Sequence, residues 1–174
     1  MSPESRRRIL AFLAALVLLL AVASFWPRPP PQVEGPSPEI AALEAYQLVH
    51  EGYSRGGWGF SYGDYLFFID QYGEIVEKYP GSEWADDAQF EIAHASYSIG
   101  NYEKAIAEYR RVVEEYPRSE TAPLALYLTG RIYEDKLRDT EAAWAVYTEL
   151  IRRYPGTNPA SMAEGRLARM GVAR

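Results

Sequence analysis

The chain has 174 residues, no cysteine, and a formal charge of −6. Without a thiol it can form no disulfide, zinc–thiolate or iron–sulfur site and no cysteine nucleophile. The charge is unevenly spread: residues 38–97 hold eleven acidic side chains against two basic ones, Arg55 and Lys78, while residues 98–174 are nearly balanced. An acidic surface of this kind excludes a nucleic-acid phosphate backbone as the expected partner.

Arg6, Arg7 and Arg8 precede an uncharged apolar run, Ile9 to Trp26. As a helix that run reaches about 27 Å, enough to cross a bilayer's hydrocarbon core. The arginines favour the cytoplasmic side and Trp26 the opposite interface, so everything downstream faces the periplasm or the cell exterior. We read the run as an uncleaved signal anchor, with residues 1–8 as a cytoplasmic N-terminus. Ala21-Val22-Ala23 leaves signal-peptide cleavage as the alternative, and the absence of cysteine closes the lipoprotein route. The proline-rich stretch 27–38 reads as an extended stalk of polyproline II geometry.

A repeat organises residues 39–174. KYPGS (78–82), EYPRS (115–119) and RYPGT (153–157) recur, with Pro80, Pro117 and Pro155 spaced 37 and 38 residues apart. Tyr72, Tyr109 and Tyr147 each stand eight residues before the proline, and Ala93, Gly130 and Ala168 thirteen after it. Between them, apolar residues recur at three- and four-residue steps, as in Ala105, Ile106, Tyr109, Val112, Val113 and Tyr116. Proline then stops each helix, and Ser82, Ser119 or Thr157 can cap the next. The pattern predicts helices near 39–51, 64–79, 83–99, 101–116, 121–136, 140–154 and 159–170, the last a capping helix with Arg166 and Arg169 outermost. Each hairpin keeps an apolar side that is covered only by stacking on a neighbour.

The stretch IGNYEKAIAEYRRVVEEYP (99–117) carries a turn glycine, a small residue, an aromatic and a terminal proline in register. ALYLTGRIYEDKLRDTEAAWAVYTELIRRYP (125–155) does so with one extra residue in its turn. On these residues the chain resembles the tetratricopeptide repeat (TPR) family over about residues 39–171. Its long period and YP phrase are similar to the periplasmic branch, such as the Tol-Pal-associated coordinator and the BamD outer-membrane assembly lipoproteins; it departs from the latter in lacking a lipid-anchor cysteine. The resemblance implies an all-α solenoid of about three hairpins plus a capping helix, here behind one transmembrane helix. It also implies that the first helix of each hairpin lines a concave, partner-binding side. Carried over by register, that side holds Tyr46, Val49 and His50, then Phe90, His94 and Tyr97, then Tyr127, Arg131 and Glu134. The competing reading is that these rings seal one repeat against another.

GYSRGGWGFSYG (52–63) interrupts the first hairpin. Gly52 reads as the end of the first helix and Gly63 as the matching turn glycine, which makes the segment an insertion. Its Gly spacing misses the dinucleotide fingerprint and no Gly-Lys-Ser/Thr follows, so it is no phosphate cradle. Tyr53, Trp58, Phe60 and Tyr62 either fold back over the open hairpin or project as a partner contact.

No catalytic group is identifiable. The pair Glu91 and His94 has di-iron spacing but lacks its second half, and no serine or threonine has a recognisable base. We expect a non-enzymatic scaffold with protein partners and no metal, cofactor, small-molecule substrate or nucleic acid. A permanent accessory subunit of a larger membrane complex is the alternative, and an enzyme or small-ligand binder using the Gly-aromatic loop is a further one.

Overall fold

The computed structural model describes residues 37–55 and 60–172. Seven helices follow one another: α1 (Pro38–Arg55), α2 (Tyr62–Lys78), α3 (Ala85–Ser98), α4 (Tyr102–Glu115), α5 (Ala122–Ile132), α6 (Thr140–Arg153) and α7 (Asn158–Val172). There is no strand among the described residues. Each helix packs on the next in sequence, and α7 also reaches back to α5. This is the stacked-hairpin arrangement that the 37–38-residue period predicts. The apolar run Ile9–Trp26 and Trp58 lie outside the described residues, and among those described no helix is long and apolar enough to cross a membrane.

The three YP phrases build the same joint three times. Tyr79, Tyr116 and Tyr154 end their helices with φ −132°, −124° and −128°, each N–H still bonded to the carbonyl four residues back. The following proline has no N–H to continue the ladder. The expected caps hold only at the third joint, where Thr157 Oγ1 accepts from Ala160 N at 3.3 Å. Ser82 and Ser119 instead accept from Trp84 N and Thr121 N, two residues on, at 3.3 and 3.0 Å. A tight turn is thus inserted before α3 and α5 begin, because the serine bonds its own loop.

The inner turns differ from one another. In the second hairpin Gly100, at φ +79°, donates to Tyr97 O, and Asn101 N donates to Ser96 O, a Schellman ending. In the third, α5 runs into a π turn (Tyr133–Leu137), Arg138 takes the left-handed position at φ +57°, and Asp139 N reaches Tyr133 O, six residues back instead of five. The extra residue seen in the sequence is absorbed there, as a wider helical turn.

The first hairpin departs most from expectation. Helix α1 does not stop at Gly52 but continues to Arg55. Gly63 is not a turn glycine: it lies in the first turn of α2, behind a capping box in which Ser61 and Asp64 satisfy each other's backbone N–H. The serine and aspartate fix the start of α2 two residues earlier than helical periodicity alone suggests.

Two apolar clusters share α3. Phe68, Tyr72, Ile75, Val76, Ala88 and Ile92 form one, between α2 and α3. The other runs from Ala93 through α4, α5 and α6 to Ala163 of α7. Ala93, Ala105 and Ala143 are wholly buried and bring paired helices close, as expected, whereas Ala168 is exposed. Arg166 is not outermost: its guanidinium meets Glu134 at 3.1 Å.

Candidate protein-interaction groove

Helix α1 offers Tyr46, His50 and Tyr53 at i, i+4 and i+7, and α3 offers Asp87, Glu91 and His94 at the same spacing. At 3.6 residues per turn each trio forms one stripe. The stripes meet: Tyr53 Oη and His94 Nδ1 lie 3.1 Å apart. The Tyr46 ring stacks on His50 at 5.3 Å and lies 5.6 Å from that of Trp84. Below them, the buried Tyr72 of α2 sends its hydroxyl to His50 Nδ1 at 3.2 Å. One floor is thus made of tyrosine rings, with histidines between them.

Beyond His94 a cavity of about 230 Å³ opens, lined by His94, Tyr97, Tyr109, Leu128, Arg131 and Asp135 among others. Tyr97 packs against Tyr102, and Lys136 Nζ sits over both rings at 5.5 and 5.8 Å. Arg131 is paired with Asp135, one turn further along the chain.

The residues read from the sequence therefore fall into three groups. Tyr46, His50, His94, Tyr97 and Arg131 come together along one half-buried face. Phe90 is half-buried with its ring edge-on to Tyr109 at 5.2 Å, and Tyr127 is only 4 % exposed, packed against Tyr147. Tyr127 therefore packs inside its own hairpin, α5 against α6. Glu134 accepts the Tyr147 hydroxyl at 2.8 Å and pairs with Arg166. Among the loop aromatics, Tyr53 and Phe60 stack on each other at 5.4 Å and both meet Phe68 edge-on, so they cover the hairpin end. Tyr62 points outward, 63 % exposed.

In the sequence Glu91 stands out only as half of an incomplete metal motif. Burial raises its carboxyl pKa to about 7, with neighbouring Asp87 adding to the effect. Burial first, then the Glu91 charge, raises the phenols of Tyr46, Tyr53, Tyr72 and Tyr109, that of Tyr53 to about 12. Burial also lowers the pKa of His94. The i, i+4, i+7 spacing from Asp87 was the available signal. No group of three His, Asp or Glu side chains among the described residues is arranged to hold a metal.

The repeated tyrosine carries a further asymmetry. Tyr72, Tyr109 and Tyr147 occupy one repeat position and are at most 1 % exposed. Tyr72 bonds His50 and Tyr147 bonds Glu134, whereas Tyr109 lines the cavity and its hydroxyl has no protein partner among the described residues. The counterpart of Glu134, 37 residues earlier, is Tyr97, whose own ring is engaged by Tyr102 and Lys136. Removing a hydroxyl bonded within the protein costs about 1 kcal/mol, and removing one with no protein partner costs little. Tyr147→Phe is therefore expected to lower unfolding free energy by about 1 kcal/mol and Tyr109→Phe to leave it nearly unchanged, as read by urea denaturation. Equal losses at both sites would contradict the asymmetry.

Stacked helix hairpins with small residues at their contacts and a tyrosine-lined inner face define a helical-repeat protein of TPR type. The family model described as YfiO, outer membrane lipoprotein, matches residues 46–171, and the chain belongs to that family. The resemblance to BamD-like proteins is thereby borne out. The chain nevertheless contains no cysteine, the residue on which a lipoprotein carries its lipid. No curated protein matches the chain.

Proposed function

We propose that the protein is a non-enzymatic scaffold of the bacterial envelope, binding other proteins on its periplasmic side in assembly or stabilisation of an envelope complex. The observation that carries this is the continuous half-buried face from Tyr46 through His50 and His94 to Tyr97 and Arg131. It joins aromatic rings to a few polar groups, the composition on which extended protein segments stack. Membership of an outer membrane lipoprotein family supports an envelope role with protein partners. With no cysteine for a lipid, we read Ile9–Trp26 as the anchor, a single pass through the inner membrane.

Photo-crosslinking residues placed at Tyr97 and at Trp58, in the full chain in its native membranes, test the reading. Tyr97 is expected to capture envelope proteins, and fractionation to place the adducts with the inner membrane. If neither position captures a protein, the scaffold reading fails. Should Tyr97 capture one protein at constant stoichiometry, the chain is a permanent subunit of a larger complex.

A further inference from the structure

On the side of α3 turned away from the tyrosine face, a cleft of about 360 Å³ opens between α2 and α4, lined by Gly73, Val76, Glu77, Gln89, Ile92 and Arg111 among others. Gln89 is wholly buried. Its amide NH2 donates to Glu108 Oε2 at 2.8 Å, and because a carboxylate only accepts, this fixes which way the amide is turned. The carbonyl oxygen Oε1 is then left buried with no hydrogen-bond partner among the described residues. Nearly every buried acceptor in a folded protein is paired, and one left unpaired is costly. Gly73 adds a second feature. It lies inside α2, where glycine is a poor helix former, yet an added Cβ would meet nothing within 4 Å. The packing of this chain does not call for a glycine there, whereas a ligand lying close against the helix does. Charge adds the third. Glu77 is exposed and has no ion-pair partner among the described residues, its neighbour Lys78 being held by Glu74 at 2.6 Å. Arg111, the only base in the lining, is bound by Glu108 at 3.1 Å and Glu115 at 2.9 Å. The cleft thus offers a free acceptor and a free carboxylate, and its one cation is taken.

We propose that this cleft takes a lysine side chain from a partner protein, its ammonium donating to Gln89 Oε1 with Glu77 as the countercharge. The four-carbon stem lies on Val76 and Ile92, 8 % and 5 % exposed, in the way lysine stems cover apolar surface. An ammonium is a compact donor that one carbonyl and one carboxylate can share. A guanidinium is a flat fork that calls for a bidentate carboxylate, and Glu115 already serves Arg111 in that way. This contact is a second one, separate from the tyrosine-lined face, and it does not depend on that face binding anything.

The test uses the full chain in detergent micelles and a blocked, fluorescein-labelled heptapeptide with one central lysine. The reference peptide carries norleucine, which keeps the stem and loses the ammonium. The lysine peptide is expected to bind about tenfold more tightly by fluorescence polarisation at low salt. Gln89→Met is expected to abolish that preference and Glu77→Gln to cut it about threefold. Glu114→Gln, on an exposed acid of α4 outside the cleft, leaves it intact. Gly73→Ala is expected to raise the melting temperature and still weaken binding of the lysine peptide, because the methyl fits the fold but occupies the cleft. Equal binding of the two peptides, binding of neither, or a lysine preference that survives in folded Gln89→Met overturns the assignment. Should Gln89→Met fail to fold, a preference that survives both Glu77→Gln and Gly73→Ala overturns it equally. If free butylammonium binds as tightly as the lysine peptide, the cleft is a site for small amines and the partner assignment is wrong. Capture at Tyr97 is expected to be the same in all four variants, so the scaffold reading is tested separately.

Discussion

Gly130→Ala is expected to destabilise the protein by about 2 kcal/mol, and Gly165→Ala to stabilise it by up to about 1 kcal/mol. Both glycines lie inside helices, where alanine has the higher propensity. The difference is what the added methyl meets. At Gly165 there is nothing within 4 Å, so only the propensity gain remains. At Gly130 the methyl would fall on the Tyr147 ring, 2.7 Å from Cδ1. That ring cannot swing aside: it is wholly buried, packed against Tyr127, and tethered through its hydroxyl to Glu134. α5 and α6 would have to separate, and overpacking of this kind costs about 1–3 kcal/mol, more than the propensity returns. Thermal denaturation of the two variants gives the answer. Wild-type stability in Gly130→Ala would mean that α5 and α6 do not approach as closely as described.

The same contact shows what was legible in the sequence. Small residue, tyrosine and proline recur at fixed offsets because each repeat solves one packing problem, and a packing problem leaves a periodic trace. The seven helices, the small-residue contacts and the YP joints follow from that trace. Features set by single hydrogen bonds left less. Ser61 and Asp64 start α2 early, and Ser82 bonds its own loop instead of the helix, by choices that periodicity does not record. His50, His94 and Tyr97 lie half-exposed where helical register places them. Tyr127, assigned to the same side by spacing, lies under Tyr147 of its own hairpin, because spacing gives a side of the helix and not what packs over it. Glu91 was hidden for a different reason. Its environment comes from α1, α2 and α4 together, up to 45 residues away in the chain at Tyr46, and no local motif encodes that.

Glu91 also governs the second large effect: Glu91→Gln is expected to stabilise the protein at pH 8 by about 2–3 kcal/mol and to change little near pH 4.5. In the folded chain burial holds the carboxyl near pH 7, against 4.5 for the free side chain. Between those values the native state binds more protons than the unfolded one, so stability falls as pH rises across the window. The native carboxyl's contribution is fully present below pH 4.5 and lost as pH passes 7. A shift of this size corresponds to about 3 kcal/mol at most, reduced by the water that reaches a half-buried group. Glutamine stays neutral throughout and keeps the shape, so the variant removes the loss above pH 7. His94 acts in the opposite sense: burial lowers its pKa, and its contribution is lost as pH falls below the free-histidine value of about 6.5. Subtracting wild-type from Glu91→Gln denaturation curves, pH by pH, cancels the His94 contribution and isolates Glu91. A difference that does not grow between pH 4.5 and pH 8 would mean that water or a cation already satisfies the carboxylate in the free protein.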